Sequence, residues 1–195
     1  DMIIAIDGSA SSGKGTLAKR LAKHFGLSHL DTGALYRAVG LQLLNAGYDP
    51  KNIDENQFIK LCVELDITLT TSPLIRTERV SEMASLVATV PVVRAALLDL
   101  QRKFAAAPPE ANGAIIDGRD VGTVVLPDAD IKFFIDANIH TRAARRTKEL
   151  LQSGQSVMFR DVLSDMQARD KRDKSRLAAP LRLADDAIFI DTSTM

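Results

Sequence analysis

The run Gly8-Ser9-Ala10-Ser11-Ser12-Gly13-Lys14-Gly15-Thr16 has the residue types and spacing of a loop that holds phosphate. Glycines let consecutive backbone N–H groups turn inward around an anion, and a helix opening at the end of the loop adds partial positive charge. Lys14 is placed to reach the β- and γ-phosphates of a nucleotide. The next residue is Gly15, so the hydroxyl that commonly ligates Mg²⁺ moves to Thr16. The metal is then expected to be held mainly by phosphates and water, with Thr16 nearby.

Three further clusters carry charge in useful places. In Asp31-Thr32-Gly33-Ala34-Leu35-Tyr36-Arg37, Thr32 can cap a following helix. A phosphate at that end would meet its hydroxyl, backbone donors and Arg37 together. Ile116-Asp117-Gly118-Arg119-Asp120 follows an apolar strand at its C-terminal edge, where ligands of open α/β sheets bind. Asp117 is placed there as a Walker-B-like acid near the metal, with Arg119 and Asp120 in the cleft. Arg169, Asp173 and Arg176, spaced by four and three, share one helical face suited to a phosphorylated sugar. Each cluster also has a plainer explanation in a capped helix, a surface turn or a solvated ion pair. A second basic group, Arg142, Arg145 and Arg146, lies on the preceding helix, and Gly154 joins the two helices into a candidate closing lid. His24, His29 and His140 lack metal-ligand spacing and are read as non-catalytic.

The elements that must position these groups alternate in type. Strands are expected at Met2 to Ile6, Ser28 to Leu30, Ile67 to Thr71, Ala114 to Asp117, Ile131 to Asp136 and Ala187 to Asp191. Helices are expected at Lys14 to Phe25, Ala34 to Leu44, Asp54 to Leu65, Glu78 to Thr89, Val92 to Ala106, Asn138 to Ser153 and Phe159 to Lys174. This predicts an α/β fold, a three-layer parallel sheet with helices on both faces. Ile67 to Thr71 has no obvious hairpin partner, and the last strand stops four residues before the sequence does. Both fit segments lying outside the 195 residues.

Composition narrows the classes. Twenty-five basic residues balance 25 acidic ones, so bulk charge does not draw the chain to nucleic acid. Residues 142–176 nevertheless hold ten Lys/Arg against five Asp/Glu. The single cysteine, Cys62, lies among Phe58, Leu61 and Leu65 and reads as a small core hydrophobe. With no signal peptide or membrane-length apolar run, the expectation is a cytoplasmic chain without membrane or nucleic-acid partners.

Together, G-S-A-S-S-G-K-G-T, D-T-G-A-L-Y-R, D-G-R-D-V-G-T-V-V-L-P-D-A and R-D-K-R-D-K-S-R closely resemble the bacterial cytidylate kinase family, in order and over essentially the whole chain. The resemblance implies one P-loop kinase domain over 1–195, a nucleoside-monophosphate-binding subdomain near 32–106 and a lid near 142–176. It also implies a small sheet insertion around 66–77. By position, Gly8 to Thr16 would bind ATP, with Arg145 and Arg172 as lid arginines. Ser85, Arg94 and Asp120 would read cytosine. Thr32, Arg37, Arg119 and Arg176 would hold the CMP phosphate, and Arg169 and Asp173 the ribose. Lys14, Arg119 and Arg176 would be catalytic, with Thr16 and Asp117 as candidate Mg²⁺ contacts. The implied activity is ATP-dependent phosphorylation of CMP and dCMP by a monomeric enzyme. A P-loop kinase for another small metabolite would share only the first motif. A switch GTPase would need an N-K-x-D guanine reader, which the sequence lacks.

Overall fold

The computed structural model describes residues 1–49, 52–110, 112–177 and 179–195. Five parallel strands form one sheet in the order β2-β3-β1-β4-β5. They are β1 (Met2–Gly8), β2 (Ser28–Asp31), β3 (Gly113–Gly118), β4 (Ile131–Asp136) and β5 (Ile188–Asp191). The helices are α1 (Lys14–Phe25), α2 (Thr32–Asn45), α3 (Glu55–Val63), α4 (Glu78–Val87), α5 (Pro91–Ala106), α6 (Ile139–Gln152) and α7 (Phe159–Ser175).

The apolar run of β1 is explained by its position between β3 and β4 with both faces covered. Ile4 and Ile6 point to one face, where Ala18 and Ala22 of α1 complete a core with Ile115 and Ile135. Ala5 points to the other face and packs with Ile116, Val121 and Ala105 of α5. A second core fills the space between α2, α3, α4 and α5, built on Val39, Leu43, Phe58, Val87 and Leu97. Cys62 packs against its edge, and burial pushes its thiol up to about 11. Helices α6 and α7 close on each other through Ala143, Leu150, Val162 and Met166, with Ala10 of the phosphate loop against them.

Two local expectations are corrected. Ile67–Thr71 is a 3₁₀ turn rather than a strand, followed by a second at Pro73–Arg76, so no sheet insertion exists at 66–77. The β-branched run suits a strand, but it has no partner. Asp66 and Ser72 instead accept N–H bonds two residues ahead and fold the segment into turns. Likewise Thr32 does not cap α2. Asp31 does, accepting from Ala34 N at 3.0 Å, and Thr32 starts the helix itself.

Among the described residues, no single helix is long and apolar enough to cross a membrane.

Candidate active site

The C-terminal ends of β1, β2 and β3 open into a cleft of about 870 Å³. Its walls come from the phosphate loop, the start of α2, α4, the turn after β3, and the α6–α7 hairpin. The open sheet thus brings together four motifs that lie far apart in the chain.

The phosphate loop is held by its carbonyls. Arg142 donates to Ala10 O at 3.3 Å, Arg145 to Ser11 O and Ser12 O at 3.3 and 3.4 Å, and Thr192 Oγ1 to Ser12 O at 2.6 Å. Ser9 Oγ donates to Asp136 Oδ1 at 2.5 Å. Gly13 takes φ +97°, a conformation L side chains rarely adopt, and delivers the chain into α1. The first N–H groups of α1 have no helical acceptor and face an incoming anion. Desolvation in the cleft lowers Lys14 to about 7, with the nearby Arg119 charge adding to the effect.

Opposite the loop, three buried or half-buried arginines gather on one carboxylate. Arg119 Nε donates to Asp173 Oδ2 at 3.0 Å, and Arg176 Nη1 lies 3.7 Å from Asp173 Oδ1. Burial opposes ionisation of Asp173, but Arg119, Arg169 and Arg176 outweigh it and hold the carboxyl below the usual carboxylate range. Burial, then the Arg119 charge, lowers Arg169 to about 9. Among the described residues, no acceptor pairs with the buried Arg37 Nε, Arg169 Nε or Arg176 Nη2. Such orphaned charged donors suit an anion placed between them. Arg37 itself donates to Asp31 Oδ2 at 3.1 Å.

Asp120 and Arg94 pair directly, and Arg94 also donates to Ala88 O at 3.2 Å while lying over the Tyr36 ring. Asp117 sits on the cleft floor, where His29 Nε2 approaches Asp117 Oδ2 to 2.5 Å and Thr32 Oγ1 donates to Asp117 O at 2.8 Å. A side chain at Gly118 would put its Cβ 2.3 Å from Thr32 Oγ1, so glycine is required for this close approach. Thr16 is exposed at the start of α1.

Lys14, Thr32, Arg37, Ser85, Arg94, Arg119, Asp120, Arg169, Asp173 and Arg176 all line the cleft with the phosphate loop. Arg145 and Arg172, the two arginines expected on the ATP side, both line the cleft as well. Arg145 lines the cleft, but its donors are used on loop carbonyls and Thr192. Arg172 donates to Ser85 Oγ of α4 at 3.0 Å. Arg142 is buried in a two-point pair with Asp170 at 3.1 and 2.5 Å, a structural tie between α6 and α7. Arg146 links α6 to Glu78 at 2.7 Å and to Arg76 O at 2.9 Å. Sequence reading set His29 aside and gave Asp7 no role, because single residues inside strands carry no spacing signal.

The family profile described as cytidylate kinase matches residues 4–195. A cytidylate kinase of Methylocella silvestris is 52% identical over 194 residues, covering all of this chain and 88% of the relative. One from Rhodopseudomonas palustris is also 52% identical, over 98% of this chain and 88% of its own length. A crystal structure of an uncharacterized protein from Eubacterium ventriosum aligns over 99% of this chain and 90% of that one, with a TM-score of 0.50 at 19% identity, a likeness of fold alone. With a phosphate loop and an arginine-lined cleft on one parallel sheet, and these matches over its whole length, the chain belongs to the cytidylate kinase family.

Proposed function

We propose that this chain transfers the γ-phosphoryl group of ATP to the 5′-phosphate of CMP or dCMP, giving ADP and CDP or dCDP. The observation that carries the reading is one cleft with the phosphate loop and Lys14 on one side and Arg119, Arg169 and Arg176 around Asp173 on the other. Two anions must meet for such a transfer, and the cleft supplies separate cationic seats for each.

At the donor seat, loop N–H groups and Lys14 take the triphosphate. At the acceptor seat, Thr32, Arg37, Arg119 and Arg176 take the monophosphate, and Arg169 and Asp173 the ribose. Asp120 accepts from the cytosine amino group, with Arg94 and Ser85 completing the base site. Arg172, hydrogen-bonded to Ser85, belongs with this acceptor side.

An oxygen of the acceptor phosphate attacks the γ-phosphorus, and the bond to the β–γ bridging oxygen breaks, its electron pair leaving with ADP. That acceptor oxygen is already anionic at neutral pH, so no general base is required. The residues align the two phosphates and offset their charge, which is most of what phosphoryl transfer asks of a protein. Among the described residues no three His, Cys, Asp or Glu side chains group as a metal cage. Mg²⁺ would be held chiefly by phosphates and water, with Thr16 and Asp117 as the protein groups beside it. When bound, the ion neutralises charge on the phosphates.

A coupled assay of ADP formation across CMP, dCMP, UMP and AMP tests the reading. CMP or dCMP should exceed AMP in kcat/KM by about tenfold or more. Equal use of AMP, or no turnover of any of the four, overturns it.

A further inference from the structure

Asp7 is the penultimate residue of β1, directly before Gly8 of the phosphate loop, and its side chain is only 4% exposed. Among the described residues no cation forms an ion pair with it. Both oxygens accept backbone N–H groups instead: Oδ1 from Val121 at 2.8 Å and Oδ2 from Gly122 at 2.7 Å. Those two residues follow Arg119 and Asp120 immediately and open a π-helical turn, Val121–Val125. The backbone pairing of β1 with β3 ends at Asp7 and Gly118. Beyond that register, the Asp7 carboxylate takes over the role of the ladder.

A buried carboxylate without a cation is costly, and burial raises Asp7 to about 6. Asp120 and Arg119 are the charged groups acting on it, while the alkyl chain of Lys132 passes beside the same Gly122 and turns its ammonium toward Asp186. A neutral side chain would avoid that cost, but none of this size accepts two N–H bonds in such a fixed geometry.

We propose that Asp7 is a positioning residue that sets the Arg119–Asp120 pair relative to the phosphate loop, and so fixes the distance between acceptor and donor nucleotides. The proposal rests on Arg119 and Asp120 binding the acceptor, as read above. Asp7 does not line the cleft; it acts by holding the turn that carries Arg119 and Asp120.

Asp7→Asn keeps the shape but turns an amide nitrogen toward one of the two N–H donors. Gly122→Ala strains the same joint from the other side, since its Cβ would lie 3.3 Å from Asp7 Oδ2 and 3.2 Å from Lys132 Cδ. Steady-state kinetics on both variants, with melting curves, should show KM for CMP raised roughly 10- to 100-fold and KM for ATP within about twofold. If Asp7→Asn does not fold, Gly122→Ala carries the test. A merely structural role would lower the melting temperature without that split. Folded variants with unchanged KM for CMP, or with both constants raised alike, overturn the proposal. Wild-type protein that does not phosphorylate CMP instead overturns the substrate reading, an outcome visible before any variant is made.

Discussion

Arg119 and Asp173, 54 residues apart, join the end of the sheet to α7 through a 3.0 Å hydrogen bond. The carboxylate is buried and three guanidinium groups act on it. This excludes the plainer reading of Asp173 as half of a solvated surface pair.

Asp173→Asn should therefore cost stability as well as binding. Removing one partner from a buried charge cluster typically costs about 3–5 kcal/mol. A melting curve checks the first effect, and KM values for CMP and dCMP the second. A variant with wild-type stability and kinetics would return Asp173 to the surface.

Lys14→Ala should reduce turnover by roughly 10³-fold or more while the fold persists, because the lost cation acts on charge that develops during transfer. Single-turnover kinetics beside a melting curve checks it. Near-normal transfer would remove Lys14 from the chemistry.

The lowered Lys14 value gives a pH signature. Between about 7 and its ordinary 10.5, folded Lys14 is largely neutral while the unfolded chain is protonated there. Stability of the free protein on this account is lowest below 7 and rises with pH across that window. A polyphosphate supplies a partner and restores the charge, so binding at pH 8 should take up most of one proton. Calorimetry of ATP binding in two buffers of different ionisation enthalpy measures it. Equal heats in both buffers, or the same uptake by Lys14→Met, would contradict the assignment.

Asp120→Ala should weaken CMP far more than ATP, by about 1–3 kcal/mol for the unpaired donor. Arg94 loses its buried carboxylate partner and keeps only Ala88 O, so stability should fall along with selectivity. The ratio of kcat/KM for CMP over UMP is the measurement, and an unchanged ratio rejects base reading by this residue.

The phosphate loop, α1 and most helix limits were legible because local periodicity and caps specify them. Asp54, for example, caps α3 as its position promised, and the structure adds Gln57 to complete a capping box. Ile67–Thr71 misled because a strand exists only where a partner strand waits, which its own residues do not reveal. The resemblance proposed Arg145 and Arg172 by position, but sequence alone does not show which carbonyls or hydroxyls lie opposite them. Asp7 and His29 escaped because their partners are 114 and 88 residues away.

The carbonyl ties on Ala10, Ser11 and Ser12 bear on the entropy of nucleotide capture. Ser11 is held at φ +57°, a left-handed conformation that costs a non-glycine residue about 1–2 kcal/mol. With Arg142, Arg145 and Thr192 fixing its neighbours, the peptides there have little freedom left to lose. The ordering cost of this loop was met when the chain folded, so a triphosphate arriving at it finds an anion seat already formed and spends its contacts on affinity rather than on shaping the loop.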